Sequence, residues 1–292
     1  MTTRYALILT TVLTSSFCST AASAASPPQD ELQWDEDHPR FRPIEYVVTG
    51  VVGPTAIAMY YMLPEQREPR FIGGVLFDDA VRNALRVRSP SALQAVWTAS
   101  DAVDVSLVVL AFGVDSLGVP LLRGSPDVAL QLGLMDIEAY AFSSALAIGL
   151  YDSVGRARPS YEDCQRDPSF VGCRTSPMAS FPSGHTNEAF TAAGVSCANH
   201  GFVPLYGSRL WDGLACARDV VLATADGLLR IIGDRHYATD VLAGAAIGWS
   251  FGYGMPTLLH YGVSAAGRPS PTSWTLSPML GPRAGLSLAG SF

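Results

Sequence analysis

Residues 182–195 read PSGHTNEAFTAAGV, in which a proline, a serine and a glycine stand just before an apolar run that begins at Ala189. Proline and serine are typical of a helix start, so the stretch predicts that a helix begins here. The N-terminus of a helix binds anions through its free N–H groups and dipole. Gly184 would allow a close approach, Ser183 would add a hydroxyl donor, and His185 could protonate a leaving group. Ordinary helix capping explains the same residues, so both interpretations stay open.

A second segment contains Arg230, His236 and Asp240. On a helix, His236 and Asp240 would share a face, and the Asp could accept a hydrogen bond from one imidazole nitrogen. The other nitrogen would then present its lone pair to a substrate, as an oriented nucleophile does. Arg230 ends the preceding apolar run, and a guanidinium matches phosphate oxygens. Taken alone, a His and an Asp at this spacing are more typical of a plain helix contact than of catalysis.

A third segment, GRARP at residues 155–159, ends a long apolar run with two arginines before a helix-terminating proline. The three segments, in this order, resemble the type 2 phosphatidic acid phosphatase superfamily, which also contains bacterial acid phosphatases and vanadium-dependent haloperoxidases. That family's pattern is Lys, six residues and Arg-Pro; then Pro-Ser-Gly-His; then Ser-Arg, five residues, His, three residues and Asp. The chain matches it at Arg158-Pro159, at residues 182–185, and at Arg230, His236 and Asp240.

The chain departs from the family pattern at two positions. Tyr151 stands where the family has Lys, Leu229 stands where it has Ser, and the sequence contains no Lys at all. We therefore expect a phosphate site that lacks one cation, with Arg156 or the Tyr151 hydroxyl as a partial replacement. A charged hydrogen bond contributes roughly 1.5–3 kcal/mol, so its uncompensated loss would reduce activity about 10- to 100-fold without abolishing it.

The resemblance implies a two-step hydrolysis of a phosphomonoester without a metal or another cofactor. His236 would attack phosphorus to form a phosphohistidine, Asp240 would orient its ring, and His185 would protonate the departing oxygen and then activate water. The groups that would hold the phosphate oxygens are Arg158, Arg230, Ser183 and the Gly184 N–H. The substrate would be a small-molecule phosphate or a lipid phosphate.

Two other functions stay open at this point. Haloperoxidases of the superfamily bind vanadate in place of phosphate, with the equivalent of His236 as the vanadium ligand, and Tyr151 in place of a Lys that contacts the oxyanion counts mildly against this activity. The missing Lys is also the only support for a non-catalytic phosphate-binding protein. A net charge of −7 leaves no broad basic surface for nucleic acid. The sequence does not determine the oligomeric state.

The N-terminus has the pattern of a secretory signal: a basic residue, an apolar run over residues 5–13 and small residues up to Ala24. Residues 1–24 are therefore predicted to be a signal peptide, and the mature protein is predicted to be exported. Of the five cysteines, Cys18 would leave with the signal. The other four allow three connectivities, and we predict pairing between nearest neighbours, Cys164 with Cys173 and Cys197 with Cys216.

The body of the chain, residues 44–265, is predicted to be an all-α bundle of about six core helices. An extended arm at residues 25–43 precedes it, and a Pro-, Ser- and Gly-rich tail at residues 266–292 has the pattern of a small β-hairpin. Acidic residues inside the long apolar segments, such as Asp101 and Asp104, suit a soluble bundle or a polar membrane bundle equally. Disulfides near both ends of the helices favour a periplasmic or cell-envelope bundle that contacts the membrane without crossing it. An integral membrane enzyme is the alternative.

Overall fold

The computed structural model describes residues 32–62, 68–174, 179–262, 274–279 and 285–290. Over those ranges the protein is an all-α bundle followed by a two-stranded hairpin, which confirms the fold class expected from the sequence. The predicted signal peptide, residues 1–24, lies outside the described residues.

A helix begins at the PSGH segment, as the sequence predicts. The α-helices of the described ranges are α1 (Pro43–Met62), α2 (Asp78–Leu85), α3 (Pro90–Val108), α4 (Val119–Leu122), α5 (Pro126–Val154), α6 (Tyr161–Arg166), α7 (Gly184–Phe202), α8 (Arg209–Ile232) and α9 (Ala238–Trp249). A short 3₁₀ helix spans Val171–Arg174. The π-helical segment Val109–Gly118 joins α3 to α4 in one continuous helix, and Ser250–Gly254 and Thr257–Tyr261 are π-helical segments after α9. Strands β1 (Trp274–Met279) and β2 (Gly285–Gly290) pair antiparallel.

Helix α7 forms the centre of the bundle and packs against α3, α5, α8 and α9. Its small side chains, among them Ala192 and Ala193, are fully buried. Facing them, Gly244, Gly248 and Gly252 lie directly on the α7 backbone, where a β-carbon would overlap main-chain atoms. Glycine therefore allows α9 and its continuation to lie against α7 along their length, and this contact brings the N-termini of the two helices side by side.

The bundle is unusual in being apolar on its outside and polar within. Exposed large apolar side chains occur on α1, α3, α5, α8 and α9, for example Val51, Val105, Ile137, Val221 and Leu242. The interior contains many buried polar side chains, including Ser100, Asp104, Asp115, Asp136, Ser143 and Asn199. Among the described residues, two helices, Pro90–Leu122 and Pro126–Val154, are long and apolar enough to cross a membrane.

Both predicted disulfides are present, as Cys164–Cys173 and Cys197–Cys216. The first lies between α6 and the 3₁₀ helix, but the second joins α7 to α8 within their lengths. Cys216 is seven residues into α8, which is about 10 Å from its start. The bridge therefore lies about two turns inside the helices and not at their ends, so it gives less support to the prediction that both ends of the bundle lie outside the cell.

The described part of the N-terminal arm packs on the bundle. Leu32, Trp34 and Phe41 are buried in one cluster with Leu205 and Tyr261. This cluster lies where α7 ends, opposite the end at which α7 begins. The described part of the arm, residues 32–43, therefore leaves the N-terminal ends of α7 and α9 uncovered by its side chains.

Candidate active site

The three motif segments meet at the end of the bundle where α7 begins. Arg156 and Arg158 follow the C-terminus of α5, and Arg230 lies in the last turn of α8. His236 occupies the short connection between α8 and α9, beside the first turn of α7. The fold thus brings together, from four helix ends, residues that lie far apart in sequence.

His236 is buried, and its ring has a defined orientation. Its Nδ1 lies 2.7 Å from the backbone carbonyl oxygen of Ser180. Because a carbonyl only accepts, Nδ1 carries the proton and Nε2 carries the lone pair. Burial, followed by the positive charges of Arg158 and Arg230, holds the pKa of His236 well below its ordinary value. His236 is therefore a neutral imidazole with a defined tautomer, which is the form that a nucleophile requires.

Arg158 covers the lone pair of His236 in this structure. Its Nη1 lies 3.2 Å from Nε2 of His236 and donates to the backbone carbonyl of Arg235 at 2.9 Å. Burial lowers the pKa of Arg158 to about 10, with a further contribution from the charge of Arg230. A guanidinium held next to Nε2 of His236 is placed to receive the oxygens of an anion that binds there.

Asp240 does not contact the His236 ring, contrary to the expectation from their spacing. Its Oδ2 accepts from the Ser180 hydroxyl at 2.7 Å and from the Tyr237 N–H at 2.9 Å, and its Oδ1 accepts from Arg156 at 2.6 Å. The spacing argument failed because His236 precedes α9, so the two residues do not share a helix face. Asp240 instead fixes Ser180, and the carbonyl of that residue orients the imidazole.

Arg156 is not placed to replace the missing lysine. Its side chain is 3% exposed, and its guanidinium pairs with Asp240 at 2.6 Å and with Asp78 at 2.7 Å. The guanidinium also lies over the Tyr237 ring, 4.1 Å from its centroid. Arg156 therefore anchors α2 and α9 below the site, and the expectation that it binds phosphate is corrected to this structural role.

Tyr151, at the lysine position of the motif, lies against the start of α7. A β-carbon added at Gly184 would overlap the Tyr151 hydroxyl, so the two are in direct contact. Glycine is therefore required at position 184 for the hydroxyl to lie at the helix N-terminus. The phenol places a neutral donor where the motif has a cation.

Ser183 acts as the N-cap of α7. Its hydroxyl accepts from the Thr186 N–H at 3.5 Å, and its carbonyl accepts from the Asn187 N–H at 2.9 Å. The N–H groups of Gly184 and His185 precede these bonds, so helix geometry leaves them for a ligand. The helix start predicted from the sequence is thus formed, with Ser183 as its cap, and anion binding there stays a prediction.

His185 and Arg230 share a partner that the sequence motifs did not indicate. Oδ1 of Asp101, on α3, lies 3.1 Å from Nε2 of His185 and accepts from Nη1 of Arg230 at 3.3 Å. Arg230 also donates to the Ser100 hydroxyl at 3.3 Å, and that hydroxyl donates to Asp226 at 2.5 Å. Acidic residues in the apolar run of α3 were visible in the sequence, but only the packing of α3 against α7 and α8 shows what they contact.

A third guanidinium adds to the positive charge of the site. Arg235 lies over the Trp97 ring, 3.7 Å from its centroid. Burial, together with the charges of Arg158 and Arg230, lowers the pKa of Arg235 to about 9. An anion that binds among these guanidiniums would offset their mutual repulsion and stabilise their charged forms.

Among known protein families, residues 133–263 match the family described as the PAP2 superfamily. The match covers just under half of the chain. The matched residues contain every motif described above, from Tyr151 to Asp240, together with Ser180 and Arg235. Of the residues that hold the site together, Asp78, Ser100 and Asp101 lie before it, so the PAP2 motifs could not have indicated them.

Two curated relatives are both named lipid A 1-phosphatase. The protein of Porphyromonas gingivalis is 43% identical over 70 residues, which is 24% of this chain and 14% of that protein. The protein of Rhizobium etli is 27% identical over 186 residues, 61% of this chain and 74% of that protein. A solved structure, a transmembrane PAP2 type phosphatidylglycerolphosphate phosphatase from Bacillus subtilis, is 18% identical with a TM-score of 0.46 and covers 73% of this chain and 93% of that one.

In the part of the chain that the structure describes, no group of three or more His, Cys, Asp or Glu side chains is arranged to hold a metal ion. The PAP2 site is instead dominated by guanidiniums and helix N–H groups, which are donors for an anion.

Proposed function

We propose that this protein is a phosphomonoester hydrolase that acts on a lipid phosphate through a phosphohistidine. The observation that carries the proposal is the neutral His236, whose Nδ1 is held by the Ser180 carbonyl and whose Nε2 faces Arg158 beside the start of α7. A nucleophile of defined tautomer among donors for an oxyanion is what phosphoryl transfer requires, since that reaction depends on positioning and on stabilising dispersed negative charge.

In the first step, Nε2 of His236 attacks phosphorus, and the bond from phosphorus to the ester oxygen breaks. His185 gives its proton to that oxygen, so the alcohol leaves neutral. Arg158 moves from Nε2 to a phosphate oxygen, while Arg230 and the N–H groups of Gly184 and His185 receive the others. Tyr151 contributes a neutral hydrogen bond at the position of the family lysine.

In the second step, water attacks phosphorus and the bond from phosphorus to Nε2 of His236 breaks. The water proton passes to His185, which restores the acid, and inorganic phosphate is released. The Ser180 carbonyl stabilises the charge on the His236 ring while nitrogen is bonded to phosphorus. No metal or cofactor takes part in this scheme.

The class of substrate is inferred from two observations. Both curated relatives are named for action on a lipid phosphate. The site also lies at the end of a bundle whose outer helix faces are apolar, so an acyl-bearing substrate would meet apolar surface on its way to the site.

The test is release of phosphate from an aryl phosphate and from short-chain phosphatidate, both in EDTA. Wild type, His236→Ala and the control Asp127→Asn are compared, the last because its carboxylate is 52% exposed and pairs with Arg40 away from the site. We expect turnover in EDTA that His236→Ala abolishes and vanadate inhibits. Absence of turnover on both substrates would refute the proposal, and oxidation of bromide by peroxide with vanadate would point to the haloperoxidase function.

We further infer that the protein resides in the cell envelope with its bundle embedded in a membrane. The apolar outer faces of the long helices and the polar interior favour this arrangement over the periplasmic bundle. After alkaline carbonate washing, the full-length protein should remain in the membrane fraction and should be released only by detergent. Release by carbonate alone would contradict membrane embedding and favour the periplasmic bundle.

A further inference from the structure

Asp101 contacts two groups that have separate tasks in the proposed reaction. A single atom, its Oδ1, lies 3.1 Å from Nε2 of the proton donor His185 and 3.3 Å from Nη1 of the phosphate clamp Arg230. Asp101 belongs to α3, outside the matched PAP2 residues and outside every motif of the sequence.

This oxygen lies where the proposed reaction would place an oxygen of the substrate. The proposed reaction needs one phosphate-ester oxygen within hydrogen-bond distance of His185 and others next to Arg230. A carboxylate and a phosphate offer these donors the same kind of negatively charged acceptor. Since two anions that share the same donors repel each other, Asp101 and a bound phosphate would not both keep these contacts.

The burial of the two side chains indicates which of them has room to move. The side chain of Arg230 is 7% exposed and is also held by Ser100, whereas the side chain of Asp101 is 62% exposed. Asp101 can therefore turn away when a phosphate replaces it as the partner of the buried Arg230, which stays in place.

We propose that Asp101 is a placeholder for a phosphate oxygen. In the free protein it keeps His185 and Arg230 close together, and substrate or product phosphate displaces it. Its charge then sets the affinity of the site for phosphate and favours release of the product. This inference rests on the proposed phosphatase function, because it needs a phosphate at the site.

The test compares Asp101→Asn and Asp101→Ala with wild type, using the full-length protein in detergent. Asp127→Asn removes a carboxylate at an exposed position and serves as the matched control. Inhibition constants of inorganic phosphate and vanadate are measured together with kcat and KM. We expect both Asp101 variants to bind phosphate about tenfold more tightly, equivalent to about 1.4 kcal/mol, with KM reduced and kcat changed by less than about threefold.

Unchanged or weaker phosphate binding in both variants would overturn the placeholder role. A large fall in kcat with an unchanged phosphate constant would also overturn it and would make Asp101 a positioning residue for His185. If wild type binds neither anion and shows no turnover, the proposed function fails together with this inference. If wild type is an active, vanadate-sensitive phosphatase and the variants bind phosphate no better, only the placeholder fails.

Discussion

Replacement of Asp240 by asparagine separates two roles for this residue. If Asp240 acted directly on His236, Asp240→Asn would impair catalysis and leave the fold intact. The structure gives it a different position, since its carboxylate holds Ser180, the Tyr237 N–H and the buried Arg156. We therefore expect Asp240→Asn to lower the stability of the protein as well as its activity.

The size of the effect follows from the ion pair with Arg156. Removing one partner of a buried pair costs about 3–5 kcal/mol. Because Asp78 remains beside Arg156 at 2.7 Å, the lower value of about 3 kcal/mol is the appropriate one. For a chain of this size, about 3 kcal/mol corresponds to a fall in Tm of about 6–12 °C.

Thermal unfolding of Asp240→Asn, followed by circular dichroism in detergent, measures this fall. The control Asp127→Asn breaks an exposed pair with Arg40 and should change stability by no more than about 1 kcal/mol. Activity is assayed well below the Tm of each variant. An unchanged Tm for Asp240→Asn together with complete loss of turnover would refute the reasoning.

Three further outcomes test other contacts of the site. Gly184→Ala should lower kcat/KM about tenfold, since overpacking costs about 1–3 kcal/mol, and should lower it less when it is made in the Tyr151→Phe variant; an equal fall in both backgrounds would contradict the contact. Tyr151→Phe alone should weaken phosphate binding by about 3- to 10-fold in a competitive inhibition assay, and unchanged binding would remove Tyr151 from the site. Because burial and Arg158 keep the pKa of His236 well below its ordinary value, the ¹⁵N NMR signals of this ring should show no titration from about pH 8 to about pH 6, and a midpoint within that range would contradict the neutral nucleophile.

Much of the site could be anticipated from the order and spacing of three short segments. The start of α7 at Gly184, the convergence of Arg158, Arg230 and His236, and both disulfides were correctly predicted. The helix start was predictable because it depends on local residue types. The disulfides were predictable because four cysteines allow only three pairings.

The predictions that failed concern contacts between a motif residue and something distant in sequence. Asp240 was expected on the His236 ring and Arg156 at the phosphate, but the two pair with each other. The sequence did not indicate a site role for Ser180 or Asp101. Ser180 contacts His236 through its backbone carbonyl, which no residue pattern shows, and Asp101 had the pattern of a charge within an apolar helix.

The sequence by itself determined the all-α class, the PAP2 motifs and the residue types available to bind a phosphate. These depend on local propensity and on spacing along the chain, which a linear sequence contains. The tertiary structure decided which carbonyl orients His236, which carboxylate contacts His185 and where Arg156 is buried. Those partners come from different helices, and their distances depend on how closely the helices pack, as when Gly244, Gly248 and Gly252 let α9 lie directly on α7.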